Sequence, residues 1–237
     1  MPVAENIAHL RERIASSARR SGRNPDEITL LAVSKTVQPE LIREAYDSGI
    51  QQFGESRVQE FAAKAEALRD FKDADWHMIG HLQNNKAAKA VEIFSSVDSL
   101  DSLRLAERLN VSAQASRKKI SVLIEINVGG EAAKSGVAPD SRELEELLLA
   151  APKFEHLDFR GLMTVPPFTD DSQQARPYFR RLVELRNRIA ARHLLNIDVD
   201  VLSMGMSHDF EIAIEEGSTC LRIGTAIFGE RSHMKDK

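Results

Sequence analysis

The sequence predicts an α/β protein, a single (β/α)8 barrel domain over residues 1–237 with an extra helix at its start. Three observations predict it. Eight short apolar runs recur along the chain, separated by stretches with helical spacing. The clearest run, Leu30-Leu31-Ala32-Val33, is continuously apolar, as parallel strands covered on both faces are. No Pro-, Ser- or Gly-rich linker divides the chain. Parallel neighbours need crossovers of about a dozen residues, and eight strand–helix units in about 200 residues favour closure over the alternative, an open doubly wound sheet.

Val3, Ile7, Leu10 and Ile14 stand three and four residues apart, so residues 2–21 read as an amphipathic helix that Gly22 stops. The strands expected after it are residues 28–33, 52–54, 76–80, 93–97, 121–128, 159–165, 199–205 and 220–224. Helical periodicity lies between them at residues 39–46, 58–62, 103–109 and 144–149 and in a long stretch at 178–195, and residues 226–229 open a short helix.

Composition narrows the function. Lysines and arginines number 32 against 36 acids, a net charge of −4 with no basic block, so no nucleic-acid surface or anionic-membrane surface is expected. Cys220, the single cysteine, stands in an apolar strand and is expected to pack rather than react. Absence of a membrane-length apolar run and of a signal-peptide core at the N-terminus leads to the expectation of a cytoplasmic protein.

Barrels place their chemistry at the carboxyl ends of the strands, which here carry Lys35, Glu55 and Ser56, His81, Asp98, Asn127, Thr164, Ser203 to Asp209, and Gly224-Thr225. Alternation puts Lys35 on the face of Leu31 and Val33. If that face points inward, desolvation favours the neutral amine, which attacks a carbonyl to form a Schiff base; the alternative is a solvated or salt-bridged lysine. Near the other end of the chain, Ser203-Met204-Gly205-Met206-Ser207 and Arg222-Ile223-Gly224-Thr225 close the last two strands, where backbone N–H groups and a helix start often hold phosphate. Two ordinary tight turns, with Ser207 as a helix cap, are the plainer explanation. Together the two constellations suggest a cofactor with an aldehyde at one end and a phosphate at the other, which describes pyridoxal phosphate.

Other patterns fail on spacing. Gly205 to Asp209 lacks the last glycine of a nucleophile elbow, and Gly130-Glu131-Ala132-Ala133-Lys134-Ser135 lacks the glycines of a phosphate-binding loop and reads as a flexible connection. His77 and His81 have no third ligand at metal spacing, so no metal is expected. Glu215 and Glu216, beside Gly217, read as a solvated helix end.

Ala32-Val33-Ser34-Lys35, Phe53-Gly54-Glu55 with Val58-Gln59-Glu60, Trp76 to Gln83 with Asn85-Lys86, Gly161-Leu162-Met163-Thr164, Ser203 to Ser207 and Arg222 to Gly229 together resemble the YggS/PROSC family of pyridoxal phosphate homeostasis proteins. The resemblance runs from about Leu10 to Gly229 in order. It implies a barrel similar to the barrel domain of alanine racemase, with pyridoxal 5'-phosphate held as a Schiff base on Lys35. It also implies phosphate contacts from Ser207, Gly224 and Thr225, with Arg222 facing the pyridine nitrogen. Ser56 stands where the family often has asparagine.

The function implied is a carrier or regulator of the intracellular vitamin B6 pool, a monomer with PLP-dependent apoenzymes as expected partners, and no catalytic residue is assigned. An arginine beside the pyridine nitrogen disfavours ring protonation and weakens the electron sink. The second acid/base of the racemases, a tyrosine from another domain, is expected to be missing, since Tyr46 and Tyr178 fall in predicted helices. A weak racemase or decarboxylase of the same fold, and an interaction module using the barrel as scaffold, are the alternatives.

Overall fold

A computed structural model describes residues 2–131 and 134–230. Its elements follow in order as α1 (Val3–Arg20), β1 (Thr29–Val33), α2 (Pro39–Asp47), β2 (Gln52–Glu55), α3 (Val58–Lys64), β3 (Asp75–Met78), α4 (Ala87–Ile93), β4 (Ser96–Leu100), α5 (Leu103–Ala115), β5 (Ile120–Glu125), α6 (Arg142–Ala150), β6 (Leu157–Met163), α7 (Arg176–Ala190), β7 (Ile197–Ser203), α8 (Phe210–Glu215), β8 (Cys220–Ile223) and α9 (Thr225–Phe228). All strand pairs are parallel and the sheet closes, β8 returning to β1 with Leu31 opposite Arg222. Closure is the expected architecture, and the open sheet is excluded.

Strand alternation sorts the side chains into two shells. Ala32, Phe53, Met78, Val97, Val122 and Leu202 point outward into one continuous apolar layer with the helices. Leu31, Val33 and Cys220, with Ile79 and Val201, form a separate small cluster on the inner face. The outer layer is therefore the main core, and the interior is left for polar groups. α1 lays Val3, Ile7, Leu10 and Ile14 on that layer beside α2, α8 and α9, each such burial contributing about 1.5–3 kcal/mol. Asn6 Nδ2 also donates to the Ile227 carbonyl at 2.8 Å, so α1 steadies the segment that follows β8.

One close approach shapes the wall. Glycine is required at 161, because a Cβ there would lie 1.9 Å from the Val201 carbonyl oxygen of β7. Within the strands, β7 and β8 share one register pair, Ser203 with Cys220.

Two expectations need correction. The fourth strand begins at Ser96, not at residue 93: Ala87, Ala90 and Val91 bury one face of α4, whose last residue is Ile93, while Ser96 and Asp98 turn polar side chains into the barrel and so hide the strand from an apolar-run reading. α7 stops at Ala190 rather than Leu195, because His193 and Asn196 adopt left-handed backbone (φ 48° and 60°) that ends a helix. Glu215 and Glu216 do stand at the end of α8, Glu215 exposed and Glu216 half-buried, and both are ion-paired. Arg176 contacts both at 2.5 Å, and Arg180 Nε lies 2.9 Å from Glu216 Oε2. Ala132 and Ala133 of the expected flexible connection lie outside the described residues.

Candidate functional site

Lys35 sits two residues beyond β1, half-buried, in the inward register of Leu31 and Val33. The backbone around it is fixed on both sides. Ser34 N–H donates to the Gly54 carbonyl at 2.9 Å, and Thr36, in left-handed conformation (φ 61°), donates its N–H to Glu60 Oε1. Behind the strand a buried cluster completes the clamp: Ser34 Oγ donates to Glu55 Oε1 (2.5 Å), and Lys64 Nζ reaches Glu55 Oε1 and the Ser34 carbonyl, both at 2.9 Å. Burial raises the Glu55 carboxyl above its usual range, although Lys64 and Ser34 pull it back. Lys64, and the part Glu60 plays here, escaped the sequence reading because a Glu–Lys pair four apart on a helix looks like solvated surface. The signal was Glu55, an acid ending a strand and in need of a cation.

The second constellation assembles next to β1, since β8 pairs with it. Ser207 Oγ accepts the Ala226 N–H at 3.3 Å, which ties the β7–α8 loop to the start of α9, where Gly224 and Thr225 stand. Ser207 thus does not cap α8. That loop is held instead by buried Asp209, whose Oδ1 accepts the Met206 N–H at 2.6 Å; burial raises this carboxyl, the Met206 bond opposing it. A groove of about 820 Å³ runs past this edge, lined by Val33 and Thr36 on either side of Lys35, by Leu41, Arg57 and Lys64 from α2 and the α3 region, and by Gly224 and Thr225, so the Lys35 loop and the Gly224–Thr225 turn are neighbours at this end of the barrel.

Arg222, on the inner face of β8, is buried. Its Nη1 donates to the Ser203 carbonyl (2.6 Å) and Oγ (2.8 Å), and its Nη2 to the Thr164 carbonyl (2.7 Å). Burial lowers its pKa against the pull of Cys220, Asp98, Glu125 and Asp209, and a guanidinium keeps its charge even so. The structure therefore brings Lys35, Ser207, Arg222, Gly224 and Thr225 to one end of the barrel.

Other strand-end residues do different work. Asp98 is not at a strand end; it lies within β4, buried in the interior, 2.9 Å from His77 Nδ1. His77 Nε2 meets Gln52 Oε1 at 2.6 Å, and Gln52 Nε2 donates to Asp75 Oδ2 at 2.8 Å. Both ring nitrogens thus face acceptors. Burial opposes charge on His77, but the Asp98 carboxylate outweighs it and raises the pKa. Thr164 Oγ1 and Asn127 Nδ2 donate to local carbonyls, of Ile126 (2.6 Å) and Glu131 (2.9 Å). Ser56 lies against Gly80, where a Cβ would be 2.5 Å from the Ser56 carbonyl. Burial pushes the Cys220 thiol up to about 12, so it is no nucleophile at neutral pH. Tyr46 and Tyr178 lie in α2 and α7, and Tyr46 stacks on Phe71 with centroids 4.1 Å apart.

Sequence reasoning missed Glu125. It ends β5 on the inner face, four strands from β1 in either direction and so across the barrel from Lys35. Its Oε2 is buried without a hydrogen-bond partner. Burial, then the neighbouring Asp101, pushes its pKa up to about 7 against Arg222 and His81. An acid closing the apolar run Val122-Leu123-Ile124 was the available signal.

Comparison with known proteins decides the family. The profile of the alanine racemase N-terminal domain matches residues 5–232. A pyridoxal phosphate homeostasis protein from Aquifex aeolicus is 46% identical over 234 residues, covering 98% of this chain and all of the relative. The chain belongs to the pyridoxal phosphate homeostasis protein family. Another structure of this shape, PipY of Synechococcus elongatus solved with PLP bound, superposes with a TM-score of 0.83 at 34% identity, over 96% of this chain and 100% of its own. The family shares its barrel with larger proteins: an alanine racemase of Clostridium difficile matches all of this chain and 58% of its own at a TM-score of 0.70 and 15% identity, a likeness of fold.

Proposed function

We propose that this protein binds pyridoxal 5'-phosphate and acts in intracellular PLP homeostasis as a carrier or regulator, without robust catalysis. The observation that carries the proposal is a juxtaposition: a strand-end lysine on a clamped loop stands at the same end of the barrel as the Gly224–Thr225 turn, which the Ala226 N–H ties to the Ser207 hydroxyl. That donor set fits the ligand at both ends. Lys35 is the amine for the aldehyde; Ser207, Gly224 and Thr225 hold the phosphate; Arg222 faces the pyridine nitrogen. When bound, the group supplies a conjugated carbonyl that an amine can take covalently. The name of the Aquifex relative and the PLP in PipY support the reading.

Arg222, fixed by two carbonyls and charged, opposes protonation of the ring nitrogen and so weakens the electron sink that amino-acid chemistry requires. The barrel acts as one ligand-binding unit over residues 1–237, a monomer in the cytoplasm that hands its ligand to PLP-dependent apoenzymes. Among the described residues no helix is long and apolar enough to cross a membrane.

The test is an absorption spectrum of the loaded protein before and after borohydride, with the adduct mapped by mass spectrometry. We expect a visible band and a reduced adduct at Lys35, both lost in Lys35→Ala; an adduct on another lysine overturns the assignment. Weak racemisation is the second reading, favoured by Glu125, an acid across the barrel from Lys35. L-alanine in deuterated water separates the two: Cα–H exchange at a useful rate, lost in Lys35→Ala, establishes the enzyme.

A further inference from the structure

The most conspicuous group in the mouth that the proposed contacts leave idle is Glu125. It is 8% exposed, its Oε2 has no partner, and it stands on the inner face where β5 ends. The β5–α6 connection folds back over it: Val137 N–H donates to the Glu125 carbonyl at 2.8 Å. Gly136 (φ 104°) passes so close that a Cβ there would lie 3.2 Å from Glu125 Cγ. This packing shuts water from one side and leaves the carboxyl facing the interior. The charged groups around it come from three other elements. Asp101 follows β4, His81 follows β3 and is paired with Asp101 (Nδ1 to Oδ2, 2.9 Å), and Arg222 stands on β8. Arg222 is committed to the Ser203 and Thr164 carbonyls, and His81 to Asp101, so neither forms a hydrogen bond to Glu125.

We propose that Glu125 is a proton-linked specificity residue of the ligand site: it faces a phosphorylated, anionic ligand as a neutral carboxylic acid, and loading draws one proton from solvent onto Glu125 Oε. This inference rests on the reading of the mouth as a pyridoxal phosphate site. The physical reason is charge. A polyanion entering a mouth that already holds Asp101 and Asp209 disfavours a further carboxylate, and the ligand displaces the water that would have solvated it. A neutral acid also offers an O–H donor where a carboxylate offers only lone pairs. Since the group titrates near neutrality before loading, the proton is taken up over the physiological range, and an alkaline shift favours release of the ligand. No bond other than the O–H forms on Glu125, and no redox partner is involved.

The experiment compares the wild-type protein with Glu125→Gln, an amide of the same shape that stays neutral and keeps a donor. Apoprotein is titrated with pyridoxal 5'-phosphate from about pH 6 to about pH 9, and affinity is read from the visible band. In parallel, calorimetry in two buffers of different ionisation enthalpy counts protons. The ligand's own phosphate titrates in both proteins, so the difference between them isolates Glu125. We expect the ratio of Glu125→Gln affinity to wild-type affinity to rise with pH, approaching tenfold per unit above about pH 7, and wild-type protein to take up more protons than the variant. Equal pH profiles, or net proton release by the wild type relative to the variant, overturn the proposal.

If the variant does not fold, infrared difference spectra of the wild type decide alone. A protonated-carboxyl band that appears on loading at about pH 8 supports the inference, and its absence overturns it. Failure of the wild type to bind pyridoxal phosphate at any pH is a different result and sinks the functional reading instead.

Discussion

The two ends of the barrel interior treat charge in opposite ways. Toward the strand starts, His77 is gripped between Asp98 and Gln52, Gln52 is tied to Asp75, and Ser96 donates to Asp98, so each charge has a partner of complementary chemistry. Toward the strand ends, Glu125 has an oxygen with no partner, although burial makes its charge costly. Satisfied polar groups hold a structure in one state, whereas an unsatisfied one stores a preference for whatever completes it. The contrast separates the part of the interior that supports the barrel from the part that awaits a ligand.

The largest effect should come from breaking the satisfied end. His77→Leu leaves Asp98 buried without its cation, and loss of one partner of a buried pair typically costs about 3–5 kcal/mol. Urea unfolding should register that loss, and His77→Leu with Asp98→Leu should recover much of it. An unchanged urea midpoint in the single variant would mean that the pair contributes nothing and that the contrast is false.

The next effect runs in the other direction. A carboxyl raised from 4.5 to about 7 in the folded state holds more protons folded than unfolded, so its cost appears as pH rises through that window and reaches about 3 kcal/mol above it. Glu125→Gln should therefore be more stable than wild type near pH 8 and indistinguishable from it near pH 4, as thermal melts will show. His77 adds to the same trend. Its stabilisation is complete below its unfolded value and fades as pH rises through its raised folded value. Wild-type stability is expected to fall on the alkaline side, and each variant should flatten part of that slope.

The smallest effects belong to the mouth's neutral contacts. Ser207→Ala and Thr225→Ala are each expected to weaken binding of pyridoxal phosphate by about 1–2 kcal/mol, the range for a hydrogen bond to a charged group. Neither should move the unfolding midpoint appreciably. Unchanged affinity in the double variant would place the phosphate elsewhere.

Periodicity alone sufficed for α1, for the inward face of β1 and for the place of Lys35, because apolar alternation and helical spacing are local signals. β4 was misplaced for the converse reason. Its inward residues Ser96 and Asp98 are polar, and their partners His77 and Ser121 come from other strands, a pairing no local window contains. The mouth divided in the same way. Ser207, Gly224 and Thr225 stand out near the ends of apolar runs, whereas Lys64 and Glu125 matter through what they face across space. Arg222 was found through the family resemblance, and its anchoring on Ser203 and Thr164 emerged only with the fold.

The join between β7 and β8 is closed by backbone and side chains together: the N–H groups of Thr219, Met204 and Arg222 donate to the carbonyls of Leu202 (3.0 Å), Cys220 (3.1 Å) and Gly205 (3.0 Å). Beyond the one register pair, Leu202 N–H donates to Thr219 Oγ1 (2.8 Å), Ser218 Oγ lies 2.7 Å from the Met204 carbonyl, and Arg222 spans from β8 to the ends of β7 and β6. The two lips of this join continue into Ser207 on one side and Gly224-Thr225 on the other. A phosphate gripping both lips would act as a clasp on the cylinder. Amide hydrogen exchange at Leu202, Met204 and Thr219 would then slow on loading, making this join a gauge of whether the protein is carrying its cargo.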